Sequence, residues 1–82
     1  MEKAEWGECP IPADTVVTRG DSILAGNCQT ETARIADIVG SQATAGRIWQ
    51  YMTTNESASL RFHVIRAMCR ALLRTNRTAA HG

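Results

Sequence analysis

The sequence has few aromatic residues, one lysine and no long apolar run. Trp6, Trp49, Tyr51 and Phe62 are the whole aromatic set, so a core must be assembled from Ile, Val, Leu, Met and Ala. That supply suits helix packing better than a β-sandwich, whose strands draw on aromatic and β-branched side chains. No apolar stretch approaches the roughly 20 residues that cross a bilayer, so no membrane partner is expected. The N-terminus, MEKAEWGECP, is charged and lacks an apolar h-region, which predicts a cytoplasmic chain. Cysteine is also sparse. Cys9, Cys28 and Cys69 are widely spaced, form no CxxC pair, and complete no zinc pattern with His63 and His81. Three separate reduced thiols are expected, with Cys69 a small core residue. No Ser-His-Asp ordering, phosphate loop or paired-carboxylate motif stands out, so the chain is not expected to be an enzyme. Neither a metal nor a cofactor is expected. His63 is read as a surface residue.

What is present is one small domain's worth of chain, 82 residues with a net charge of +1. The charge is unevenly divided. Residues 1–32 set Lys3 and Arg19 against Glu2, Glu5, Glu8, Asp14, Asp21 and Glu31, a net of −4. Residues 33–82 set seven arginines against Asp37 and Glu56, a net of +5. Such polarity makes one end of a molecule attractive to phosphate. Arginine can grip a phosphate in a bidentate fork.

Residues 1–13 contain Gly7, Pro10 and Pro12 and predict an extended or mobile arm, with Trp6 either packed back or partly exposed. The domain proper is expected over 14–76. Residues 13–25 favour a helix ending at Gly26-Asn27; the alternative is a short strand, Thr15 to Thr18, followed by a shorter helix. A second helix is expected from Glu31 to Val39, with Ile35, Ile38 and Val39 as its apolar face. Gly40 ends it, since glycine takes the left-handed C′ conformation without a Cβ penalty. Ser41 then caps a third helix, Gln42 to Thr53, whose inward face is Ala45, Ile48, Trp49 and Met52. A fourth helix runs from residue 57 or 58 to about 74–76. Projected at about 100° per residue, its His63, Arg66, Arg70, Arg74 and Arg77 fall within an arc of roughly 80°. Phe62, Ile65, Met68, Cys69, Leu72 and Leu73, with Leu60, Val64, Ala67 and Ala71, leave a wide apolar surface. The domain core covers part of it and a second copy the rest, so a homodimer is expected. Residues 77–82 are read as a disordered tail. The fold class is thus all-α: a small tri- to tetra-helical domain with a long C-terminal Arg-striped helix.

The stretch TARIADIVGSQATAGRIWQYM, residues 32–52, resembles the helix-turn-helix of bacterial and phage transcriptional regulators. Ile35-Ala36 with Val39-Gly40 matches the family's apolar-Ala and apolar-Gly positions. The run from Ser41 to Trp49 is similar to the Ser-x-x-Thr-x-x-Arg recognition helix of Lac-repressor-type headpieces. Two positions depart from the pattern. Ser41 stands where an apolar residue is usual, and Gly46 stands where the family has Val or Ile if the interval from Gly40 is kept. The resemblance implies a small sequence-specific DNA-binding regulator, its helix-turn-helix at about 31–53. Ser41, Gln42, Ala43, Thr44, Arg47 and Gln50 would face double-stranded DNA. Gln pairs with adenine, Arg with guanine, and Thr or Ala methyls with thymine. The helix's N-terminal amides would bind phosphate. Arg34, Arg66, Arg70, Arg74 and Arg77 would contact phosphate. The acidic N-terminal segment is where RNA polymerase or another regulator can make contact.

Without the resemblance, the same residues describe a capped helical hairpin with a solvated cationic face. The alternative function is then a helical protein-interaction module, antitoxin- or inhibitor-like, using its charge-polarised surface. RNA binding through the Arg stripe is a third reading, opposed by the shortage of aromatics for base stacking.

Overall fold

The computed structural model describes residues 6–81, the last five by backbone alone. The β-prone run at 15–18 takes the strand alternative. It forms β1 (Val16–Thr18), followed directly by the short helix α1 (Arg19–Leu24). Thr18 makes the switch. Its hydroxyl accepts from the Asp21 amide, and the Asp21 carboxylate accepts from the Thr18 amide, a reciprocal capping box. The helix expected over 13–25 is therefore corrected to a strand and a six-residue helix.

Helix α2 (Gln29–Val39) begins two residues before the expected start and ends at Gly40. Gly40 has φ 103° and ψ 153°, so it is not in the left-handed helical conformation expected of a C′ residue. It lies in an extended region reserved for glycine. The chain consequently leaves α2 extended. It forms β2 (Gln42–Thr44) before α3 (Ala45–Asn55) can start. β2 pairs antiparallel with β1, with Val16 opposite Thr44, Val17 opposite Ala43 and Thr18 opposite Gln42. The ladder continues at both ends, from the Arg19 amide to Ser41 O at 3.0 Å and from the Ala45 amide to Thr15 O at 2.8 Å. Thr44, not Ser41, caps α3. A 3₁₀ turn (Ala58–Leu60) then leads into α4 (Arg61–His81). The fold is mostly helical, in rough agreement with the all-α expectation, with a small two-stranded sheet added to it.

Residues 6–13 are anchored. Trp6 is 0% exposed, and Ile11 is also buried. The Trp6 and Trp49 rings meet edge to face, with centroids 5.2 Å apart. Each indole N–H is satisfied, Trp6 by Glu56 O at 3.1 Å and Trp49 by Gly7 O at 3.0 Å. Arg61 Nε adds a bond to Trp6 O at 2.9 Å. Of the two alternatives for Trp6, the packed-back one holds: Trp6 and Ile11 join the core, while most of the residues between and after them are exposed; residues 1–5 lie outside the described chain. Ala45, Met52, Ala67, Met68 and Ala71 complete the interior.

On α4 the inward face is Ala67, Met68 and Ala71, with Val64 half-buried beside them. Phe62 and Leu73 are 73% and 54% exposed, and Cys69, expected in the core, is exposed between them. The backbone of 77–81 continues α4 where a disordered tail was expected. No helix among the described residues is long and apolar enough to cross a membrane.

Candidate nucleic-acid interface

Strand alternation decides which residues of the Gly40 turn reach the surface. Ala43 points inward against Val17 and is buried, so it is removed from the expected contact set. Ser41, Gln42, Thr44, Arg47 and Gln50 are all exposed. Gln42 and Thr44 share the outer face of the ribbon with Thr18 and Val16, their cross-strand partners. Arg47 follows one turn into α3. Its Nε donates to Val39 O at 3.3 Å, which ties it to the end of α2.

The start of α3 differs from the expectation in one chemical respect. The Ala45 amide bonds Thr15 O, the Gly46 amide bonds Ala13 O at 2.9 Å, and the Arg47 amide bonds the Thr44 hydroxyl at 3.3 Å. These N-terminal amides are therefore not available to a phosphate. The same packing accounts for Gly46. A Cβ there would lie 3.0 Å from Ala13 Cβ and 3.3 Å from Ala13 O, so residue 46 is small because residues 13–15 cross over it.

The expected phosphate-contact arginines divide. Arg34 forms a fork with Glu56, at 3.0 and 2.7 Å, and also pairs with Glu31. Tyr51 OH donates to the same Glu56 carboxylate at 2.9 Å. Arg34 holds the Glu56 carboxyl below the usual range, and Glu56 and Glu31 raise the Arg34 guanidinium. Arg66 donates to Ala25 O. Arg74 takes both oxygens of Asp21 and also Val16 O, each at 3.0 Å. The helical arc is real, but at Arg66 and Arg74 it faces α1 and β1 and forms an intramolecular seam. Arg70 is exposed and its side chain makes no hydrogen bond or ion pair among the described residues. The Arg77 side chain lies outside the described set.

Sequence reasoning missed Arg19. The ribbon brings its backbone beside the turn, its amide bonded to Ser41 O, and its side chain is exposed. The capping box Thr18-x-x-Asp21 is the local signal that could have placed it at a strand-to-helix corner. Among the described residues no group of three or more His, Cys, Asp or Glu comes together to hold a metal ion. No family model matches the sequence, and no curated protein or solved structure matches it either.

Proposed function

We propose that the chain is a small sequence-specific DNA-binding transcriptional regulator that acts as a homodimer. The observation that supports this reading is the corner where β2 passes into α3. Gln42, Thr44 and Arg47 are exposed there on one continuous segment, with Arg19 alongside. A major groove admits a helix or a two-stranded ribbon, and this corner offers the start of both. Gln42 and Arg47 supply the donors and acceptors that pair with adenine and guanine, and Thr44 supplies a methyl for thymine. Ser41, Arg19 and Arg70 serve as phosphate contacts. Because the first amides of α3 are occupied, phosphate binding falls to side chains.

The homodimer reading rests on α4. Phe62, Cys69 and Leu73 lie on one side of that helix at steps of seven and four residues, all exposed. A second copy laid on this stripe would remove it from water and set two reading corners for two half-sites. The same stripe is the observation that favours the alternative, a protein-interaction module with a different partner.

Selection from a pool of random duplexes tests the proposal. A regulator enriches one family of sites, and sedimentation of the bound fraction gives two chains per site. A pool that stays random through repeated rounds contradicts sequence-specific binding.

A further inference from the structure

We propose that α4 pairs antiparallel with α4 of a second copy, about a two-fold axis at Cys69, so that both Arg70 side chains emerge on one face of the dimer. This geometry rests on the homodimer reading given above and on nothing about what the dimer binds.

At about 100° per residue, Phe62, Ile65, Cys69, Leu72 and Leu73 fall within an arc of roughly 100° on α4. The arc faces away from Ala67, Met68 and Ala71, which are buried in the core. Phe62 is 73% exposed and Leu73 54%, Cys69 is exposed, and Ile65 and Leu72 are half-buried. Phe62, Ile65, Cys69 and Leu72 step by three, four and three residues, the seam spacing along which two helices pack.

Symmetry points to a second copy as the occupant. A two-fold interface is self-complementary, because the same patch is used by both subunits. Laid antiparallel with Cys69 on the axis, this stripe meets itself with apolar against apolar at each step. Phe62 lies against the partner's Leu73, Ile65 against the partner's Leu72, and Cys69 against the partner's Cys69. Opposed helix dipoles favour this orientation over a parallel one.

Charge does not oppose the pairing. Helix α4 carries no acidic residue, so its arginines decide. Arg61 is held at the margin by Trp6 O, Arg66 by Ala25 O and Arg74 by Asp21, all within the same chain. Arg70 is exposed and stands one residue past the axis. In the antiparallel pair its copy emerges on the same side, about 10 Å away. That is about one Debye length in physiological salt, so the repulsion is largely screened. In a parallel pair the two would lie on opposite sides. The antiparallel dimer therefore presents two cations together, a doubled phosphate contact under the proposed function. Each copy covers on the order of 400 Å², against about 800 Å² per partner in a standard complex. The dimer is accordingly a reversible one.

The test is diamide crosslinking of the full chain carrying Cys28→Ser. Diamide takes two electrons and two protons from a pair of thiols, and one S–S bond forms. The expected product is a covalent dimer whose crosslinked peptides join Cys69 to Cys69, lost when Cys69→Ser is added. Orientation is read in the chain with both Cys28→Ser and Cys69→Ser. There, Phe62→Cys combined with Leu73→Cys is expected to crosslink between copies, and Phe62→Cys alone is not. Phe62→Cys alone crosslinking as fast as the combination, as a parallel pair requires, overturns the proposal. Sedimentation equilibrium of the reduced parent is expected to show monomer and dimer exchanging at micromolar concentration. Phe62→Asp, at a site too exposed to disturb folding, is expected to weaken the dimer by about a hundredfold, since each dimer loses the contact twice. A dimer unchanged by Phe62→Asp overturns the α4 pairing and leaves a homodimer through another surface. A parent that stays monomeric at millimolar concentration overturns both the pairing and the homodimer reading, while duplex selection still decides the DNA reading.

Discussion

Arg74 grips the carboxylate of Asp21 with two hydrogen bonds, Nε to Oδ1 and Nη2 to Oδ2, each 3.0 Å long. Asp21 is 2% exposed, and Arg74 reaches it from 53 residues away. The pair joins the start of α1 to the middle of α4, and a third bond from Arg74 to Val16 O includes β1 in the same clamp. Removing the guanidinium leaves a buried carboxylate with only its Thr18 partner. Arg74→Ala is expected to lower stability by about 1–3 kcal/mol, below the full value for a buried pair because Arg74 is itself half exposed. Urea denaturation of the two proteins measures it.

The same pair sets an acid limit. Burial pushes the Asp21 carboxyl up, but Arg74 and Thr18 together hold it below its ordinary value of 3.8. Since the folded-state value is depressed, the contribution to stability is fully present above pH 3.8 and is lost as pH falls through the lower folded-state value. Parent protein is expected to lose stability with a steeper acid limb than Asp21→Asn, which carries no such proton. Denaturation midpoints collected between pH 7 and pH 2 check the difference. Parallel curves below pH 4 would contradict it.

Two glycines give opposite expectations. Gly40 has φ 103°, where an L side chain is strained whatever the space around it. Gly40→Ala is expected to cost about 1–3 kcal/mol. Gly20 lies within α1, and an added Cβ would meet nothing closer than Thr18 Oγ1 at 3.6 Å. Gly20→Ala is expected to stabilise by roughly 0.5–1 kcal/mol through the unfolded chain's lost freedom. Thermal melts of the two variants should move in opposite directions.

Cys28 is the thiol expected to react first. It occupies the N-cap of α2 and is exposed, and the backbone amides of Glu31 and then Thr30 draw its thiol below the usual range. Timed iodoacetamide labelling at neutral pH with mass mapping should show Cys28 modified ahead of Cys69 and Cys9. Cys9 is shielded and its Sγ lies 3.4 Å from Ile11 O. Faster labelling of Cys69 would contradict the expectation.

Local pattern carried much of this fold. The apolar spacing of Ala45, Trp49 and Met52 marked the inward face of α3, and the fourth helix with its arginine arc was readable from periodicity alone. What was not legible is long-range. Gln42-Ala43-Thr44 has little strand propensity. It becomes β2 because Gly40 sends the chain out extended and β1 is there to pair with it, a case of tertiary context overriding local preference. The arginine arc looked solvated because the acceptors, Asp21 and the carbonyls of Val16 and Ala25, lie 41 to 58 residues away in sequence. Trp6 was left between packed back and partly exposed, because the partners that decide it, Trp49 and Glu56, are 43 and 50 residues away. At the candidate interface, residue types at the turn were readable, whereas the inward turn of Ala43 and the arrival of Arg19 needed the ribbon's register.

Under the proposed function, the corner of β2 and α3 reads DNA bases while other arginines contact only phosphate. The most direct measurement compares Arg47→Ala and Arg70→Ala with the parent, on the selected duplex and on a random duplex, over a salt series. Arg47→Ala is expected to lose about 1–3 kcal/mol on the selected duplex and much less on random duplex, narrowing the ratio between them. Arg70→Ala is expected to weaken both alike and to reduce the salt slope by about one. Two variants that bind both duplexes as the parent does, with unchanged salt slopes, would contradict the claim.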